Sequence, residues 1–216
     1  MKNLFLIILF VGLLSCGMPD ELELPDEDIK CQNGSIFYKN KKYTGKILVE
    51  DKKNTVNYKG YLNLKEGKLD GVSEILNSKT KEYFKFKVTT GEFDGEYITK
   101  VLNVIDASIF FEKGMIKKYR VIYPDNSREE LTFDNDGLAN GFVIENGKKT
   151  EFVKGFSDYD QKRVKISLTK DKRKQVIQVY KEKELLAEKE IDISLTPKLL
   201  EGKLFPILCE DGKEIQ

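Results

Sequence analysis

The chain has 216 residues, with 37 basic side chains against 36 acidic ones, no histidine and a formal net charge of +1. Interleaved charges near neutrality leave no electrostatic footprint for nucleic acid, and the missing histidine removes Ser-His-Asp and Cys-His catalysis and the commonest metal ligand. A hydrophobic content of 40% beside 34% charged residues suits a folded protein with a thin core.

Residues 1–15, MKNLFLIILFVGLLS, carry one base, Lys2, ahead of an apolar run from Leu4 to Leu14. The run is shorter than the ~20 residues of a membrane-spanning helix, so it predicts a signal peptide that the mature protein lacks. Leu13-Leu14-Ser15-Cys16 resembles the bacterial lipobox, which implies that Cys16 becomes a lipidated first residue. At ~0.8 kcal/mol per buried methylene, two or three acyl (palmitate-like) chains hold a protein on a bilayer. The expected location is therefore a membrane of the bacterial cell envelope, and Gly17 allows the outer membrane. A plain secretory signal cut elsewhere and a buried amino-terminal helix are the alternatives.

Residues 16–30 read as an acidic tether. Asp20, Glu21, Glu23, Asp26, Glu27 and Asp28 precede the first base, Lys30, and Pro19 and Pro25 interrupt any helix. So few apolar residues with so much like charge predict an extended spacer.

With Cys16 assigned to lipid, Cys31 and Cys209 remain, one at each end of the folded region. Oxidising surroundings make a disulfide between them the economical expectation. It would close a loop of roughly 180 residues, worth up to ~5 kcal/mol in the chain-entropy picture. It would also require the carboxyl-terminal segment to fold back. Two buried free thiols are the alternative.

Residues 31–155 repeat. Gly67-Lys68-Leu69-Asp70-Gly71 returns as Gly91-Glu92-Phe93-Asp94-Gly95 and as Gly137-Leu138-Ala139-Asn140-Gly141, while Gly114-Met115-Ile116-Lys117-Lys118 lacks the final glycine. The first glycines are spaced by 24, 23 and 23 residues. Glycine, with Asp70, Asp94 or Asn140 before the second one, tolerates positive φ and suits a bend between two strands, with one apolar residue pointing inward. Strands are predicted at 35–39, 46–50, 56–64, 72–77, 82–89, 96–104, 107–112, 116–123, 127–134, 142–145 and 149–153, from β-branched and aromatic content and from alternation such as Phe84-Lys85-Phe86-Lys87-Val88. A single hairpin cannot bury its apolar face, so the units must pair edge to edge.

These phrases, together with Tyr43-Thr44-Gly45-Lys46 and Glu145-Asn146-Gly147-Lys148, look like the bacterial variant of the MORN repeat found in YwqK-family antitoxin-like proteins. The resemblance covers roughly residues 33–155. It implies an all-β fold: an elongated, twisted antiparallel sheet of consecutive hairpins with a period of about 23 residues. The family shares repeats and no catalytic residues.

Residues 156–216 leave the period and read as a β-rich carboxyl-terminal cap, with strands over 163–169, 175–180 and 185–193. A helix over 181–190 competes with the last of these. Residues 196–206 read as a loop or short strand.

Chemistry-bearing patterns are few. Asp134-Asn135-Asp136-Gly137 fails as a calcium loop, because Thr132 and Val143 would occupy positions that need carboxylates. Neighbouring Glu129 and Glu130 face opposite ways on a strand. No catalytic residue, metal or cofactor is expected. Two functions remain: an anchored binding or scaffold module holding a protein partner, and an antitoxin-like immunity protein that neutralises an effector by binding it. Tyr43, Tyr58, Tyr61, Tyr83 and Tyr97 are candidate contacts where they lie outside the core.

Overall fold

The computed structural model describes residues 18–24, 26–50, 57–159, 162–171, 174–192 and 196–209, with the backbone alone for 159, 192 and 206–209. The expected signal peptide and Cys16 lie outside these residues. Among the described residues the strands are β1 (Glu21–Leu24), β2 (Ile29–Gln32), β3 (Ser35–Tyr38), β4 (Lys41–Lys42), β5 (Gly45–Val49), β6 (Tyr58–Lys65), β7 (Lys68–Leu69), β8 (Gly71–Asn77), β9 (Tyr83–Thr89) and β10 (Glu92–Phe93). They continue as β11 (Gly95–Val101), β12 (Ile105–Glu112), β13 (Met115–Ile122), β14 (Arg128–Phe133), β15 (Ala139–Glu145), β16 (Lys148–Phe152), β17 (Phe156–Tyr159), β18 (Lys162–Leu168), β19 (Lys174–Lys181) and β20 (Glu184–Asp192). One helix, α1 (Pro197–Cys209), follows.

The fold is all-β. Its largest sheet runs β1-β5-β6-β8-β9-β11-β12-β13-β14-β15-β16, with β7 added to β6 and β10 to β9. Every neighbour in that order is antiparallel except β1, which lies parallel to β5. Of the two smaller sheets, β2-β3-β4 is inserted in sequence between β1 and β5, and β17-β18-β19-β20 follows β16.

The repeated phrase has a defined anatomy. Glu66 and Gly67, with φ of 51° and 75°, make a two-residue turn whose left-handed backbone matches the twist of the flanking strands. Thr90-Gly91 and Lys113-Gly114 do the same. The hairpin turn therefore sits one residue ahead of the position the phrase suggested. Next comes a return strand whose second residue, Leu69, Phe93 or Ile116, is about 1% exposed. The register then slips. Leu64 pairs with Leu69 and Tyr61 with Glu74, so two residues of β6 face four of the return strand, and β9 repeats this with Val88–Phe93 and Lys85–Ile98. Between β12 and β13 only Lys117 is extra, and between β14 and β15 the register is unbroken. The third unit can lose its second glycine because its bulge is smaller.

Turns of successive units are stitched together along one margin of the sheet. The Gly67 N–H donates to the Tyr43 carbonyl at 2.7 Å, Gly114 to Phe93 at 2.8 Å and Gly155 to Ala139 at 2.7 Å. The flanking sheets use the same margin: Ile36 N–H donates to the Gly67 carbonyl (3.0 Å), Ile166 to Gly155 (2.8 Å) and Leu168 to Gly137 (2.7 Å). The core follows it as a line of side chains, including Phe86, Phe93, Tyr97 and Phe111, whose rings stand 5.3–6.2 Å apart.

Three expectations are corrected. Within the supposed tether, Glu21–Leu24 is strand β1, because alternation puts Leu22 and Leu24 in the core, each 7% exposed, while Glu21 and Glu23 face solvent. Ile29–Gln32 is also a strand. Residues 196–206, read as loop or short strand, fall in and just before helix α1 (Pro197–Cys209), which buries Leu200, Leu204 and Phe205 against β2, β3 and β7. Over 181–190 the strand reading holds and the helix does not. The carboxyl-terminal cap is thus a four-stranded sheet followed by a helix at the opposite end of the array.

Candidate functional site

Strand alternation gives the large sheet two faces of different chemistry. On the outer face Glu74 pairs with Lys85 (3.8 Å), Lys100 with Asp106 (2.9 Å) and Lys118 with Glu130 (3.4 Å). Cations also cover rings, with Lys46 5.3 Å from the Tyr61 centroid and Arg128 5.4 Å from that of Phe142. At the amino-terminal end this face dips into a groove of ≈ 560 Å³ whose apolar surface comes from Leu48, Tyr61, Leu76 and Tyr83, with Lys59 and Glu74 beside them. Burial, with the Glu74 carboxylate beside it, raises the Tyr83 phenol above its ordinary value.

The five tyrosines divide between the faces. Tyr43 and Tyr97 are core, 0% and 2% exposed, and Tyr58 packs half-buried against the core. Tyr61 and Tyr83 are half-buried on the outer face, adjacent to its groove. The structure thus joins two of the five into one surface and gives the other three to packing.

Asp134 is a turn residue. Its Oδ1 accepts from the Asp136 and Leu138 N–H groups at 3.0 and 2.9 Å, which holds the loop before Ala139. No group of three metal-ligating side chains occurs among the described residues. Glu129 and Glu130 face opposite ways, as alternation requires: Glu130 joins the outer ion pairs, while Glu129 accepts from the Tyr119 hydroxyl at 2.6 Å on the core face.

That inner position opens onto a second concavity, which the sequence reading missed. The four-stranded sheet folds over the core face of β14–β16, leaving a cleft of ≈ 260 Å³ between Val143 and Phe152 on one side and Val164, Ile166, Ile177 and Ile191 on the other. Glu129, Glu145, Lys148 and Gln175 supply its polar edge. Gln175, 4% exposed, donates from Nε2 to the Tyr119 hydroxyl at 2.7 Å. No local pattern announces this cleft, because its walls lie far apart in the chain.

Cys31 is disulfide-bonded, and its sulfur lies 3.1 Å from the Phe205 carbonyl of α1. That helix ends at Cys209, whose side chain lies outside the described residues. Comparison of the sequence with family models and with curated proteins finds no match.

Proposed function

We propose that the protein is a lipid-anchored lipoprotein of the bacterial cell envelope that works as a binding or scaffold module and not as a catalyst. Its hairpin units, on this reading, are a bacterial MORN-type array. The single observation that carries the binding role is the outer groove formed by Leu48, Tyr61, Leu76 and Tyr83. Tyrosines held half-buried beside an apolar floor and ringed by charges of both signs are the composition of a protein-binding hot spot. The anchor rests on Leu13-Leu14-Ser15-Cys16.

β1 sharpens the arrangement. Only residues 17–20 separate Cys16 from Glu21, and the five extended steps between the two residues reach about 18 Å at most. A lipid on Cys16 therefore keeps the β1–β5 end of the array beside the bilayer, where a longer tether would have lifted it away. Cys209 is the expected disulfide partner of Cys31, because α1 brings the end of the chain onto β2.

The test has two arms. Mass spectrometry of the amino-terminal peptide should find acylated Cys16, and Cys16→Ala should move the protein out of the membrane fraction. A photo-crosslinking residue at Tyr61 or Tyr83 should capture one envelope protein in intact cells, while the same residue at exposed Val153 should not. Capture of an effector whose action the protein blocks would favour the antitoxin-like reading. Equal labelling at all three positions would sink the groove assignment.

A further inference from the structure

Glu129 is a half-buried carboxylate in an unusual position. Both of its hydrogen-bond partners are phenols, Tyr119 at 2.6 Å and Tyr123 at 3.5 Å, and among the described residues it makes no ion pair. Beside it lies the apolar space between the two sheets. Packed sheets ordinarily fill such a space by interdigitating side chains. Here the sheets are tied together at the glycine margin, while Val143, Val164 and Ile177 beside the cleft stay only partly buried. A carboxylate beside an apolar wall is a natural seat for the cationic head of an amphiphilic ligand.

The polar edge is also one-sided in its hydrogen bonding. The Tyr119 hydroxyl spends its proton on Glu129 and accepts from Gln175. The carboxylate is left with lone pairs and no donor of its own. Lys148 stands at the outer lip opposite Glu145, its partner in the β15–β16 register. The inner end is therefore negative and the lip is mixed.

We infer that this inter-sheet cleft is a binding site for a small amphiphilic amine, with its ammonium on the Glu129 carboxylate and its hydrocarbon body between Val143 and Ile177. The cleft volume equals about nine water molecules' share of liquid, which matches a body of roughly six carbons with its head. The site is independent of the outer groove, so failure of either assignment leaves the other standing.

The probe is hexylammonium, with hexanoate and 1-hexanol as matched bodies bearing other heads. The protein would carry Cys16→Ala so that no lipid competes for an apolar probe. Methyl NMR titration should show saturable shifts confined to Val143, Val164, Ile166, Ile177 and Ile191, with hexanoate and hexanol at least tenfold weaker. Glu129→Gln keeps an acceptor for Tyr119 and should weaken hexylammonium at least tenfold; Glu145→Gln should cost less than threefold. Ile177→Phe fills the cleft and should abolish binding while the melting temperature holds or rises. The inference is overturned by no saturable shift, by equal binding of the three probes, by equal losses in the two glutamate variants, or by binding that survives Ile177→Phe in a folded protein.

Discussion

Gly67 and Gly91 open the same phrase, yet an added methyl would meet different surroundings. At Gly91 it would point into open space, so Gly91→Ala carries only the left-handed backbone cost of about 1 kcal/mol. At Gly67 it would lie 2.7 Å from the Ile36 carbonyl oxygen, and at Gly60 only 2.0 Å from that of Glu74. Urea unfolding should rank the alanine variants Gly91, Gly67, Gly60 in rising damage, with Gly60→Ala beyond about 3 kcal/mol. Gly60 belongs to no phrase. A glycine required by the approach of a neighbouring strand leaves no mark in its own stretch of sequence, whereas one required by a turn does.

Buried phenols make a second residue-level prediction. Burial, with Glu82 adding to it, raises Tyr97 to about 12. Burial first, then Asp20, Glu21 and Tyr38, raises Tyr43 to about 12. Tyr119 is pushed well above its ordinary value by burial and then by Glu129. A folded-state value above the unfolded one of 10.0 means that this stability is fully present below pH 10 and is lost as pH rises towards about 12. Unfolding measured at about pH 9 and about pH 11 should show the decline, and Tyr97→Phe should shrink the difference between the two. A profile unchanged by Tyr97→Phe would remove that tyrosine from the account.

Among the elements, the hairpins could be read and the two ends could not, for opposite reasons. Hairpin strands declare themselves by alternation and by the turn glycines. In β1 the alternation Glu21-Leu22-Glu23-Leu24 was present but was outweighed by the acidic run around it, although two buried leucines suffice to add a strand to a ready edge. Helix α1 contains Gly202 and Pro206, poor helix formers, and hides its apolar stripe in a short span. Its start was visible in retrospect: Thr196 accepts the Leu199 N–H on Oγ1 at 3.3 Å, and Pro197 takes the first helical position. Glu201, 6% exposed, ties the helix to the repeats by accepting the Leu69 N–H at 2.9 Å and facing Lys68 at 3.3 Å. Glu201→Ala strands that buried amide, so it should cost about 1–3 kcal/mol and speed hydrogen exchange at Leu69. Cys31→Ser should loosen α1 in the same exchange experiment while leaving β11–β14 protected.

For the whole molecule, the repeat unit set the architecture that could be foreseen, and long-range contact set what could not. A hairpin array of one layer exposes its core face. The sequence reading supplied the array and the strands of the carboxyl-terminal sheet, but not the β2-β3-β4 sheet with α1 at one end or the packing of the four-stranded sheet over the core face at the other, because their faces are complementary only after folding. The outer face should respond little to salt. Its ion pairs are exposed and worth about 0–1 kcal/mol each, so raising ionic strength to about 1 M should change the unfolding free energy by less than about 1 kcal/mol. A larger fall would mean that the charges act as a network.

β1 also determines how the molecule would carry force. A lipid at Cys16 would draw on the chain at Met18, immediately before Pro19 accepts the Tyr43 hydroxyl at 3.0 Å and Asp20 accepts the Lys46 N–H at 2.8 Å. Tension applied along β1 loads these bonds and the parallel ladder to β5 together, in shear, and does not peel them one by one. The strand mistaken for a leash is the clasp by which an array lipidated at Cys16 would hang from a membrane.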